Sequence, residues 1–201
     1  MYGALGLAPL VRVPEPDPYR VCMVLDGGAA GVIAPYVESV EEVRRLQGAT
    51  RLRPLKGKRL KDLLDADAEP DPKLAAYLGA RNKGTVTIIN VESTPALEAL
   101  NTILAVPDLD AVLIGPHDLS TSLGVPEQYD HPRFNEAVST IIREARERNL
   151  GVGIHFSGGI EREISWAREG ANFIVHSSDI ALVREMMEAD LARFRRELGD
   201  G

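Results

Sequence analysis

Six short apolar runs recur along the chain with helical patterns between them, and this alternation limits the fold more than any other feature. The runs are residues 8–13, 31–34, 85–91, 111–115, 151–156 and 173–176. They read as continuous apolar segments rather than in/out alternation, the pattern of parallel strands covered on both faces.

Helix signals fall between the runs. Ser39, with Glu42 three residues later, makes a capping box ahead of Val40 and Val43. Thr94 and Pro95 supply a cap and a first-turn proline leading into 96–106. Residues 132–149 carry Phe134, Ala137, Val138, Ile141, Ile142 and Ala145 at helical spacing. The same pattern recurs at 160–170 and 180–198, with Gly170 and Gly199 where C-terminal glycines belong. Residues 47–84 are charged and proline-containing, and read as short helices at 60–66 and 73–81 joined by an exposed loop. Cys22 sits in a helical pattern that ends in the glycine-rich turn 27–31. That turn lacks the spacing of a dinucleotide fingerprint.

About six strand/helix units predict an α/β fold of TIM-type (β/α)8 barrel class, here a partial barrel of six units. With 201 residues the chain builds one substantial core, so residues 1–201 read as a single domain. A net charge of −7 with no basic stripe argues against nucleic acid. One cysteine excludes an internal disulfide or a multi-thiolate zinc site. The apolar start carries no Lys or Arg before Arg12, and no run approaches a membrane span. A cytoplasmic setting without membrane partners is the expectation.

Barrel folds place chemistry at the carboxyl ends of their strands. Glu92 closes the third apolar run, Asp118 follows the fourth after Gly115-Pro116, and Arg12 lies in the first. Two carboxylates on neighbouring strands can share one hard divalent cation. Each residue also has a plainer reading: Glu92 assisting the helix cap behind it or pairing with a nearby base, Asp118 capping a turn, Arg12 forming a surface or interface ion pair. A guanidinium in a strand also suits a substrate carboxylate, gripped through two parallel hydrogen bonds. His155 and His176 both end strands, where a hydrogen-bonded rim role is commoner than a catalytic one. His117 adjoins Asp118 and could offer its backbone amide to an anion. His131 reads as a solvent-facing loop residue. Trp166, Met186 and Met187 fit helix faces.

The strings VRVP, LDGGAAGVIAPYVES, NVES and IGPHDLSTSLG, with the following HPRF, resemble the HpcH/HpaI family of class II pyruvate aldolases. Members of this type include 4-hydroxy-2-oxoheptanedioate and 2-keto-3-deoxy-sugar-acid aldolases, and the likeness runs from about Leu10 to the final helix. The resemblance implies a (β/α)8 barrel of the phosphoenolpyruvate/pyruvate superfamily and a carbon–carbon lyase working through a metal-stabilised pyruvate enolate. It implies Mg2+ or Mn2+, with Co2+ and Zn2+ as further candidates, held by Glu92 and Asp118. Arg12 matches the arginine that binds pyruvate and assists catalysis. Asn90, Gly115, Pro116 and His117 fall where the substrate is held, although proline has no N–H to give. Pyruvate or another 2-oxo acid, an aldehyde and further copies of the chain are the implied partners.

Three departures stand out. The family's catalytic histidine lies in a segment upstream of VRVP, so two βα units and that base are expected to be missing here. Asn90 stands where a glutamine is usual, and GKRL at 57–60 replaces a glycine-arginine-glycine pattern. Two rivals follow: an acyl-CoA lyase like citrate lyase β or malyl-CoA lyase, and a catalytically impaired domain that binds metal and oxo acid.

Overall fold

The apolar runs become six parallel strands whose spatial order is their order in the chain. The computed structural model describes residues 2–65 and 70–199, so position 66 of the expected helix 60–66 lies outside the described residues. The strands are β1 (Leu10–Arg12), β2 (Gly31–Ala34), β3 (Val86–Val91), β4 (Ala111–Ile114), β5 (Gly151–Phe156) and β6 (Phe173–His176). Helices α1 (Pro18–Asp26), α2 (Val40–Arg51), α3 (Gly57–Asp65), α4 (Pro72–Arg81), α5 (Thr94–Glu98) and α6 (Leu100–Leu104) lie between β1 and β4. After β4 come α7 (Pro116–Ser122), α8 (Pro132–Glu147), α9 (Ile160–Glu169) and α10 (Asp179–Leu198). A doubly wound sheet reverses its strand order at a switch point. This one never does, so right-handed crossovers set the helices on one face and the sheet curls into part of a TIM-type barrel.

The two faces have separate cores. Toward the helices, Val32, Ile89, Val112 and Ile154 pack with Leu46, Ile103, Phe134 and Ile141. On the concave face Ile33, Ile88, Ala111 and Leu113 form a small cluster with Leu10, Val86, Phe173 and Val175, and no helix residue joins it. Alternate residues therefore serve different cores, and β2 and β4 are continuously apolar because both faces are covered, while β3 interrupts the run with buried Thr87 and Asn90. The edges differ from that expectation. Arg12 in β1 is exposed, and β6 alternates, leaving Ile174 40% exposed.

Local chemistry explains several boundaries. Ser39 and Glu42 form the expected capping box at α2. Strand β4 stops at Ile114 because Gly115 is the N-cap of α7 and Pro116 lacks a ladder donor. The expected helix 96–106 is two short helices, and Ser93 rather than Thr94 caps the first. The Thr94 hydroxyl pairs instead with the Ser122 hydroxyl. His131 is no free loop residue, since its Nδ1 accepts from the Arg133 N–H and caps α8. Helix α10 departs most, for none of its 20 residues is buried, and Met186 and Met187 face solvent.

Candidate active site

Strand register carries the concave face upward to the carboxyl rim. Asn90 pairs with Leu113, and His155 with Val175, so Glu92, Gly115 and His155 continue the inward positions at the top of β3, β4 and β5. A cavity of about 230 Å³ opens there, lined by Arg12, Asn90, Glu92, Gly115, Pro116, His117, Asp118 and His155 among others. Every residue singled out from the sequence as a site residue lines it.

Glu92 is 4% exposed, and its oxygens each accept one bond from an uncharged donor. The Tyr36 N–H reaches Oε1 at 2.9 Å, and the Asn90 amide nitrogen reaches Oε2 at 2.9 Å. Tyr36 delivers its N–H from a left-handed conformation at φ 56, an arrangement a non-glycine residue keeps only where its surroundings enforce it. The carboxylate can only accept, so the Asn90 nitrogen must face it and Oδ1 turns away, buried and without a donor. Gly115 is required by closeness, since a methyl there would overlap Glu92 Oε2.

Asp118 is exposed on the same cavity, in the first turn of α7, and makes no capping bond because Gly115 is the N-cap. The capping reading of Asp118 fails. The Arg12 guanidinium has no protein partner among the described residues, so it forms no surface ion pair within them. The side chain of His117 pairs with Glu127 at 3.2 Å, outside the cavity chemistry, while its backbone belongs to the first turn of α7. Pro116 is buried and fixes that turn.

A buried carboxylate normally needs a charged partner. Glu92 has none among the described residues, its oxygens keep lone pairs beyond those two bonds, and a second carboxylate shares the cavity. That donor set fits a hard divalent cation, which takes one or two protein carboxylates and fills its other positions with water or substrate oxygens. Among the described residues no group of three or more His, Cys, Asp or Glu is arranged to hold a metal ion.

The two strand-ending histidines part company. His155 lines the cavity, and its Nε2 lies 2.8 Å from the Ser177 carbonyl. His176 faces the other side of β6, where its Nδ1 meets buried Glu163 at 2.7 Å. A signal for this lay in the sequence: Gly151 and Gly153 share the parity of His155 and mark the inward face of β5. Tyr36 had no such signal, because any residue carries a backbone N–H.

The sequence profile of the HpcH/HpaI aldolase/citrate lyase family matches residues 1–185. The chain belongs to this family. It is 32% identical over 189 residues to the 2-keto-3-deoxy-L-rhamnonate aldolase of Salmonella gallinarum, covering 93% of this chain and 69% of that protein. Among solved structures, the HpcH/HpaI aldolase of Desulfitobacterium hafniense superposes with a TM-score of 0.79 at 28% identity, over 96% of this chain and 74% of that one. The citrate synthase SbnG superposes at 0.80 and 26% identity, over 99% and 76%. The HpcH/HpaI family is thus one of lyases, with a synthase among its structural neighbours.

Proposed function

We propose that this chain is a divalent-metal-dependent aldolase that makes or cleaves 2-oxo acids from pyruvate and an aldehyde. What carries the reading is the joint position of Glu92, Asp118 and an Arg12 unpartnered among the described residues, on one cavity at the carboxyl rim. Glu92 and Asp118 would hold the cation, Mg2+ or Mn2+ by their all-oxygen chemistry. When bound, the cation supplies Lewis-acid charge beside the keto oxygen.

The chain's own residues do the rest. Asn90 and the Tyr36 N–H hold the Glu92 carboxylate in place. Arg12 binds the substrate carboxylate through its planar fork and adds positive potential where negative charge develops. The His117 N–H, in a first helical turn without an intrahelical acceptor, is a further donor to that carboxylate.

A second copy of the chain is the proposed partner. Helix α10 presents Ile180, Val183, Met187, Leu191, Phe194 and Leu198 as an uncovered stripe, and the outer face of β6 leaves Ile174 open. Contiguous apolar surface on this scale marks an interface.

The test is exchange of pyruvate methyl protons in D2O, followed by proton NMR with Mg2+ and with trace Mn2+. Metal-dependent exchange that disappears in Glu92→Ala is the expected result. Exchange that ignores metal, or that survives Glu92→Ala, overturns the reading. Metal-dependent pyruvate binding without exchange would assign the chain to the impaired, ligand-binding class instead.

A further inference from the structure

We propose that His155 is the acid–base residue of this cavity, taking a proton from the carbon beside the keto group and passing it to the new hydroxyl. This rests on the oxo-acid reading of the site and adds the group which that reading leaves unassigned.

The argument begins with the tautomer. A backbone carbonyl can only accept, so the 2.8 Å contact with Ser177 O makes Nε2 the donor of the neutral ring. Nδ1 then keeps its in-plane lone pair, the atom a general base needs. The anchor is itself fixed. Ser177 is buried, adopts a left-handed φ of 53, and gives its own N–H to the Phe156 carbonyl at 2.8 Å. A hydrogen bond that orients the ring through its far nitrogen, on a rigid segment, is what positions a catalytic imidazole.

Placement supplies the second observation. His155 sits at the inward parity of β5, beyond Gly151 and Gly153, and lines the cavity with Glu92, Asp118 and Arg12. Among the histidines it alone lines the cavity with no carboxylate partner among the described residues: His117 pairs with Glu127, His176 pairs with Glu163, and His131 is occupied as a helix cap. Arg12 is already charged and cannot accept a proton, and Glu92 and Asp118 are given to the cation.

The step balances. Nδ1 of neutral His155 takes one methyl proton of pyruvate, and the C–H electron pair becomes the enolate double bond. The enolate carbon attacks the aldehyde carbon, forming the carbon–carbon bond, and the resulting alkoxide takes the proton back from the imidazolium. Cleavage is the same sequence reversed, and no oxidant or co-reactant is needed.

The experiment compares the full chain with His155→Gln and His155→Ala, using pyruvate and Mn2+. Binding is read from water-proton relaxation, and turnover from methyl-proton exchange in D2O. Glutamine can still donate to the Ser177 carbonyl but offers no base. Its exchange rate should fall by about 10²–10⁴-fold while pyruvate affinity holds within about threefold. Added imidazole should restore part of the exchange in His155→Ala, which a purely structural role would not permit. Wild-type exchange in His155→Gln, or pyruvate bound by the parent chain without any exchange, overturns the assignment while leaving the binding site standing. Absence of metal-dependent pyruvate binding in the parent overturns both.

Discussion

Gly115 and Glu92 share one small volume: a methyl on Gly115 would overlap Glu92 Oε2 and lie 3.0 Å from Glu92 Cβ. The backbone at Gly115, with φ −92 and ψ 94, is open to alanine, so the cost of Gly115→Ala falls on the carboxylate rather than on the turn. Glu92 must rotate out of its bonds with Tyr36 and Asn90. Mn2+ affinity should fall by about 10–100-fold, the usual loss when a ligand's orientation is disturbed. Far-ultraviolet circular dichroism should stay unchanged. An unaltered Mn2+ affinity would show that this carboxylate does not hold the ion.

Asn90→Leu separates positioning from stability. It removes the donor to Glu92 Oε2, and it also removes Oδ1, which is buried without a partner. An unpaired buried acceptor costs about 1–3 kcal/mol, comparable to what losing the amide bond takes away. The two effects oppose each other. Tm by calorimetry should therefore move little, while Mn2+ affinity drops by about 10–100-fold.

Strand and helix positions were largely legible, because apolar runs and caps act through near neighbours. Strands β2, β5 and β6 match the sequence reading residue for residue, and Ser39 with Glu42 caps α2 as expected. Glu92 and Asp118 could be placed on the cavity because Glu92 directly follows one apolar run and Asp118 lies just past the next, in the first turn of α7. His155 and His176 could not be separated on that basis, since both end strands. Only the inward parity of one and the outward parity of the other divides them, and strand ends alone do not reveal face. Met186 and Met187 show the same limit at a helix: amphipathic spacing gives a face, but not what covers it.

At the opposite end of the barrel, Asp110 joins three segments. Its Oδ2 accepts from the Thr87 N–H at 2.7 Å and from Arg51 Nη2 at 2.5 Å, while Arg51 Nη1 donates to the Thr85 carbonyl at 2.6 Å. Asp110→Ala leaves the Thr87 N–H without its acceptor and the Arg51 guanidinium without its carboxylate, holding only the Thr85 and Asp108 carbonyls. Bonds to charged groups contribute about 1.5–3 kcal/mol. For a chain of this size that lowers Tm by roughly 3–12 °C, read by calorimetry. Pyruvate and Mn2+ binding below the transition should be unaffected, since the site lies at the other rim.

Cys22 provides a probe of α1. Burial, and then Asp26, push its thiol up, with Arg53 and Lys56 opposing. Thiolate is the reactive form. A raised folded-state pKa leaves less of it at neutral pH than the unfolded chain has. Iodoacetamide should therefore label Cys22 more slowly in the native protein than in urea, and the native rate should climb with pH above neutrality. Equal rates in both states would show that α1 opens freely.

The last prediction concerns α10. Its apolar stripe at 180, 183, 187, 191, 194 and 198 follows helical spacing along a 20-residue helix about 30 Å long. Each such side chain covered by a partner contributes about 1.5–3 kcal/mol, and a stable interface buries roughly 1,200–2,000 Å² in total. Six residues on one helix, reciprocated by a second copy, approach that scale. Sedimentation should therefore report a dimer or larger assembly, and Met187→Asp with Leu191→Asp should shift it toward the 21.9 kDa monomer. Both positions are exposed within their own chain, so helix content by circular dichroism should hold. A parent chain that is already monomeric at tens of micromolar would rule out a second copy as the cover for this face.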